Sequence, residues 1–327
     1  MLRIRTAAVT VLVLAALCLG GCTANFNMLG GPAAPFREQT LSGKGQGKIL
    51  LLSVDGLISE RGKEGLVRTR PSTVEDVAAQ LKMARKDKDI KAVVLKVDSP
   101  GGTTTASDII YHELMTYKAE TGNKLVVAMM GLAASGGYYV SLPADHICAL
   151  PTTITGSVGV IFLQPRVAGL LEKIGVGVDV SKSGAQKDMG SPFRAATPEE
   201  RLLTDSMVKA QAARFIGLVQ ERRKLDPAAL TIVSTARVFT AQEAKDLGLV
   251  DSVGYLEDAL ATAASLAGLP RDARVVAYRS RPAPNATYYQ PGAEFAGPSP
   301  TVVNLGLESL MPPHAGLYYL WTPGWAQ

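Results

Sequence analysis

The residues Gly131 to Val140 (GLAASGGYYV) place one serine, Ser135, among small residues between the apolar run Lys124 to Met130 and the apolar start of a predicted helix. A serine at a strand-to-helix junction can act as a nucleophile, because unpaired backbone N–H groups there favour developing negative charge. Gly136 and Gly137 let a substrate backbone approach closely. A second strand-like run, Lys91 to Val97, ends in Asp98-Ser99-Pro100-Gly101-Gly102. Acyl transfer needs two N–H donors about 3 Å from the oxyanion. The amides of Gly102 and Gly136 are the candidate oxyanion hole. Asp98 reads as a turn residue rather than a third catalytic carboxylate, since a carboxylate beside a lysine base would favour its charged form.

A serine nucleophile needs a base. The three histidines read as structural: His112 falls in a predicted amphipathic helix, His146 opens a strand-like run, and His314 lies in a Pro/Gly-rich tail. Lysine can serve once burial strips water from its ammonium and lowers its pKa from about 10.4. The segment Val180 to Pro192 offers Lys182 and Lys187, and spacing alone does not choose between them.

Five motifs in order carry a family resemblance: DSPGG (Asp98 to Gly102), AASGGYY (Ala133 to Tyr139), TGSVGV (Thr155 to Val160), SGAQKDMGSPFR (Ser183 to Arg194) and RVFTAQEAKDLGLVD (Arg237 to Asp251). Across residues 45 to 270 the chain resembles the signal peptide peptidase A family of membrane-associated Ser/Lys proteases. The resemblance implies an α/β, Clp protease/crotonase-like fold of repeated strand-strand-helix units in a single domain. It assigns Ser135 as nucleophile, Lys187 as general base, Ser157 as the hydroxyl that orients the lysine amine, and Gly102 and Gly136 as the oxyanion hole. Ala236 and Ala241 stand where members often carry glycine, which bears on packing around the RVFT motif. One copy of the serine and lysine motifs is present, as in the short family form, in which a homo-oligomeric ring brings serine and lysine together from adjacent protomers. The substrates implied are hydrophobic peptides such as cleaved signal peptides. Two alternatives remain at this stage, a crotonase-type acyl-transfer enzyme and a catalytically silent envelope scaffold.

The chain ends suggest a location. Arg3 and Arg5 precede an apolar run, Ala7 to Leu19, too short to span a bilayer, which reads as a signal peptide over residues 1–21. Leu19-Gly20-Gly21-Cys22 resembles a bacterial lipobox, so Cys22 is the expected lipidation site and the protein is expected on the extracytoplasmic face of an envelope membrane. Thr23 after the cysteine permits the outer membrane. Acyl chains contribute about 0.8 kcal/mol per buried CH₂, enough in combination to anchor without a helix. Cys18 leaves with the signal and Cys148 remains as a buried hydrophobe, so no intrachain disulfide is expected. The formal charge of +5 falls to +3 once Arg3 and Arg5 are removed, which is no nucleic-acid footprint. No metal or cofactor is expected, because the Cys and His spacings match no metal motif.

Positioning these residues falls to alternating strands and helices. Strands are predicted at Lys48 to Val54, Lys91 to Val97, Lys124 to Met130, His146 to Leu150 and Gly177 to Ser181. Helices are predicted at Thr73 to Arg85, opened by a Ser72/Glu75 capping box, at Ser107 to Tyr117 and at Pro198 to Arg223. A hydrophobic content of 47% supports a core without cross-links. The expected layout is a linker over 22–45, a protease domain over 46–278 and a disordered Pro/Gly-rich tail over 279–327. That tail carries an aromatic cluster (Tyr318, Tyr319, Trp321, Trp325) that could instead dock on the ring or the membrane interface.

Overall fold

The structure is a computed structural model that describes residues 35–62, 71–280, 285–290 and 316–321. Its first half contains β1 (Arg37–Ser42), β2 (Gly45–Asp55), α1 (Thr73–Ala84), β3 (Ile90–Ser99), β4 (Gly101–Thr103), α2 (Thr104–Thr121), β5 (Lys124–Ala134) and α3 (Gly136–Tyr139). Next come β6 (His146–Ala149), β7 (Ile154–Gly156), β8 (Ile161–Leu163), α4 (Ala168–Lys173), α5 (Pro198–Arg223) and α6 (Pro227–Val233). The last are β9 (Val238–Thr240), α7 (Ala241–Asp246), β10 (Ser252–Val253), α8 (Leu256–Leu266), β11 (Ala273–Arg279) and β12 (Gly316–Leu320).

The main sheet runs β1-β11-β2-β3-β5-β6-β10, and a branch at the end of β5 pairs with β7, which pairs with β9. Its central pairs are parallel, so its strands are covered on both faces and read as nearly continuous apolar runs. Alternation still sorts the side chains. Leu50, Leu52, Leu95, Val97, Val127 and Met129 join the larger core with α1 and α2. Ile49, Leu51, Val94, Val126, Ala128 and Cys148 face α8. Cys148 is thus a buried free thiol in an apolar layer, as anticipated. Lys96 interrupts that face: it is only 3% exposed, donates to the Gln290 carbonyl at 2.9 Å, and is held below the usual lysine pKa by burial.

Helix starts follow the sequence closely. Ser72 and Glu75 form the expected capping box on α1, and Thr197 with Glu200 forms another on α5. Three expectations need correction. Gly177 to Ser181 is no strand: those residues are exposed and have no pairing neighbour, so their valines follow β propensity without a ladder to join. The helix after Ser135 is a single turn, Gly136–Tyr139. The ordered domain also exceeds residues 46–278. β1 pairs antiparallel with β11, and β12, from the region expected to be a disordered tail, forms the middle of a separate antiparallel sheet, β4-β12-β8. Long-range pairing partners, which local composition cannot show, decide both cases.

Two side chains shape the junction that presents the site. The register between β3 and β5 slips after Val97, so that Ser99 pairs with Ala133. Asp98, inside β3, fills the slip by accepting from Leu132 N of β5 at 3.0 Å, a role between strands rather than in the turn expected. Fully buried Ser99 donates to the Gly56 carbonyl at 2.6 Å and accepts from Gly101 N at 3.0 Å, fixing the turn into β4. Ser99→Ala leaves a buried carbonyl and amide unpaired and is expected to cost ~1–3 kcal/mol in urea denaturation. A loss below ~0.5 kcal/mol would mean that the turn holds without this hydroxyl.

Candidate active site

Ser135 follows β5 directly, where Ala133 and Ala134 have left β6 to pair with Thr155 and Gly156 of β7. Its N–H donates to the Gly156 carbonyl at 2.8 Å, and its own carbonyl accepts from Tyr139 N at 2.9 Å to open α3. Caught between those two bonds, Ser135 adopts φ 54° and ψ −112°. This conformation is costly for a residue with a Cβ, and backbone strain of this kind concentrates at functional sites. Ser135 is 1% exposed.

Ser157 stands in the same relation to β7. The pairing of Ala134 with Gly156 brings the two strand ends level, so the serines that follow them emerge side by side. Ser157 also has positive φ, 51°, and donates its N–H to the Arg237 carbonyl at 2.9 Å. It lines a cavity of about 230 Å³ with Gly159, Val160, Ile161, Ala236, Leu320 and Trp321, none of them basic.

The two amides assigned to the oxyanion hole lie together. A methyl built on Gly101 would sit 2.6 Å from Gly136 N, and one built on Gly136 would sit 3.0 Å from Gly102 N. β4 is fixed on one edge by Ile58, which donates to the Gly101 carbonyl at 2.9 Å and accepts from Thr103 N at 3.0 Å. Because hydrogen bonding alternates sides along a strand, the Gly102 amide points to the opposite edge. Gly102 admits no side chain, since a Cβ there would fall 1.8 Å from the Ile58 carbonyl oxygen.

Ser135 is buried, whereas Lys187 is not. It sits exposed on an arm spanning residues 174–190 that is solvent-facing along most of its length. Among the described residues no hydrogen bond joins it to Ser135 or Ser157. Lys182, its sequence rival, is committed to an ion pair with Asp188 at 2.7 Å. Lys96 is a buried lysine with a lowered pKa, a signal that often marks function. Its amine points to Gln290 on the α8 side, whereas Ser135 leads into Tyr138 and Tyr139 of the opposite core. His146 binds the Ser252 hydroxyl at 2.8 Å, a structural link, and His112 is exposed. Cys22 lies outside the described residues. No group of three or more His, Cys, Asp or Glu among the described residues could hold a metal, and no described helix is long and apolar enough to cross a membrane.

An ion cluster that sequence reasoning missed fastens the base of the arm. Arg194 reaches Asp188 at 2.7 Å and the Glu200 carboxylate at 2.8 Å. Its hydrogen bonds draw Asp188 well below the usual carboxylate range and Glu200 from 4.5 to about 2. A lowered carboxyl pKa contributes stability above the ordinary value and loses it as pH falls through the folded one. The arm's anchorage should therefore persist to about pH 4 and weaken towards pH 2.

Comparison with known proteins adds a family context. The Peptidase family S49 model matches residues 118–270, and the Clp protease model matches 66–155. The Enterococcus faecium protein named as a signal peptide peptidase SppA is 37% identical over 244 residues, covering 74% of this chain and 70% of that protein. Protease 4 of Salmonella typhi is 40% identical over 195 residues, 60% of this chain but 31% of that longer protein. Among solved structures, a mutant of the 1510-N membrane-bound stomatin-specific protease superposes with a TM-score of 0.44 at 16% identity, covering 78% of this chain and all of that one. The Clp protease match and the mixed α/β sheet agree on a Clp protease/crotonase-like fold.

Two measurements test the geometry. Gly102→Ala must displace β4 from Ile58, so kcat/KM should fall at least ~100-fold, the scale of losing one oxyanion donor. Unchanged turnover would remove the Gly102 amide from the site. In a ¹³C-carboxyl titration, the Glu200 midpoint should lie near 2 and move towards 4.5 in Arg194→Ala. A midpoint indifferent to that substitution would exclude Arg194 as its cause.

Proposed function

Because the chain belongs to peptidase family S49, the serine proteases of signal peptide peptidase A type, we propose that it is a lipid-anchored endopeptidase whose Ser135 and Lys187 act together across a subunit interface to degrade hydrophobic peptides. The observation that carries this reading is the strained Ser135, held beside the amides of Gly102 and Gly136 with no lysine or histidine hydrogen-bonded to it among the described residues. Peptidase membership also leaves the crotonase-type and scaffold alternatives without support.

Each group then has a defined task. Neutral Lys187 from a neighbouring protomer takes the Ser135 proton while Ser157 orients its amine. The alkoxide attacks a peptide carbonyl, the Gly102 and Gly136 amides hold the oxyanion, and the C–N bond breaks as the ammonium protonates the leaving amine. The same lysine activates water to hydrolyse the acyl-enzyme.

The exposed arm supports assembly. Ile174, Val176, Val178 and Val180 are each about half exposed, with Leu170 and Phe193 nearby in sequence. Contiguous apolar exposure of this kind marks a protein interface. A head-to-tail contact that closes into a ring would bring each arm to the next protomer's Ser157 cavity. The lipobox-like Leu19 to Cys22 supports anchoring through Cys22 on the extracytoplasmic face of an envelope membrane. Such tethering would hold the site near hydrophobic peptides released from the bilayer.

Ser135→Ala and Lys187→Ala should each lower turnover by at least about 10⁴-fold, without additive effect in the double variant. Mixing the two inactive chains under subunit exchange creates junctions that pair an intact serine with an intact lysine. Activity should return in proportion to those junctions. If co-assembled mixtures stay silent, the pair acts within one chain.

A further inference from the structure

Arg279, the last residue of β11, carries a charge that the fold buries without a partner. It is 5% exposed, and neither its Nε nor its Nη1 has a hydrogen-bond partner within the protein. Burial draws its guanidinium below the ordinary arginine pKa, and no carboxylate among the described residues acts against that shift. Arginine stays charged all the same. A charge taken out of water in this way is costly unless something of opposite sign meets it.

The neighbouring charges raise that cost. β1 places Arg37 directly opposite Arg279, so two guanidinium side chains share one face of the ladder, where like charges repel. Across β2, Ser53 is paired with Lys96 of β3, a second buried cation. Burial lowers the Lys96 pKa, Asp55 and Asp98 favour its charged form, and the Arg279 charge opposes it. Those two carboxylates therefore compensate Lys96 and leave Arg279 unmatched.

A small cavity adjoins the guanidinium. β11 and β2 are paired only as far as Val276 with Leu50. Beyond that point Ala277 and Arg279 of β11 and Leu51 and Ser53 of β2 line a cavity of about 10 Å³, with Gln290 as a further wall. This volume is the scale of one water or one halide ion and excludes phosphate. Gln290 is bonded at one end only: its backbone carbonyl accepts from Lys96 Nζ at 2.9 Å, while its side-chain Oε1 is buried without a partner. Rotation about its last torsion would present the amide N–H groups to the cavity instead.

We propose that this cavity is a binding site for one small monovalent anion, chloride in a physiological medium, held by the Arg279 guanidinium with the Ser53 hydroxyl and the Gln290 amide. The anion supplies the missing opposite charge. It also fastens residues 285–290 to the sheet, because Gln290 is then held at its side chain as well as at the carbonyl bonded to Lys96. A water in the same place would join the polar groups but leave the charge uncompensated.

Thermal unfolding of the full-length protein tests this at constant ionic strength, with sodium gluconate exchanged stepwise for sodium chloride up to about 150 mM, since a ligand bound only by the folded state raises Tm. Tm should rise by ~3 °C or more, and by less than ~1 °C in Arg279→Met, which keeps an unbranched apolar stem and removes the charge. Amide hydrogen exchange at residues 285–290 should slow ~10-fold at about ten times the chloride Kd. A Tm indifferent to chloride, or an equal rise in Arg279→Met, would overturn the site. Unchanged exchange at 285–290 while Tm rises would overturn the fastening. Should Arg279→Met fail to fold, a crystal of the unaltered protein grown in sodium bromide decides: an anomalous peak beside Arg279 and Ser53 is expected, and a water alone there would overturn the proposal. None of these readouts involves peptide hydrolysis, so the outcome is separate from that of the proposed peptidase function.

Discussion

The backbone conformation of Ser135 is the constraint on which the site depends. A non-glycine residue at φ 54° costs on the order of 1–3 kcal/mol and persists only where the surroundings over-determine it. Here they do. The Gly156 carbonyl holds the Ser135 amide, α3 holds its carbonyl, and the pairing of β5 with β7 leaves the chain no other exit. The slip between β3 and β5, filled by Asp98, is what frees Ala133 and Ala134 from β6 to make that pairing. Behind the junction lies the largest apolar core in the described chain, with Val127, Met129, Tyr138 and Tyr139 all buried in it. Core burial offsets the strain, and the strained turn fixes where the serine and the Gly136 amide point.

The chemistry is divided between rigid and exposed parts. Ser135, Ser157, Gly102 and Gly136 are held by strand pairing in the sheet and turns. Lys187 stands on a surface arm that buries little within the protomer and is tied at its base by Arg194, Asp188 and Glu200. On the proposed function, the lysine meets its hydroxyl partners only on assembly, which would leave an isolated protomer inert.

The parts legible in the sequence are those set by local chemistry. The central strands announce themselves as apolar β-branched runs, the helix starts by Ser72 and Thr197 with their glutamates, and the site by glycines that no Cβ could replace. What escaped depended on distant partners. β1 and β12 are polar or aromatic segments that become strands only because β11, β4 and β8 offer edges to them. The valines of Gly177 to Ser181 fail for the converse reason, having propensity without a partner. The tail's aromatic cluster was a visible signal. Tyr139 and Phe215, which make a pocket for Tyr319, come from elements that sequence separates by more than a hundred positions from it.

The central claim is that Ser135 is an activated nucleophile. It is tested most directly by treating the assembled full-length protein with a fluorophosphonate probe and mapping the adduct by mass spectrometry. The account predicts one labelled residue, Ser135, with labelling abolished by Lys187→Ala although the serine remains. Labelling at another serine, or undiminished labelling of Ser135 without Lys187, would contradict it.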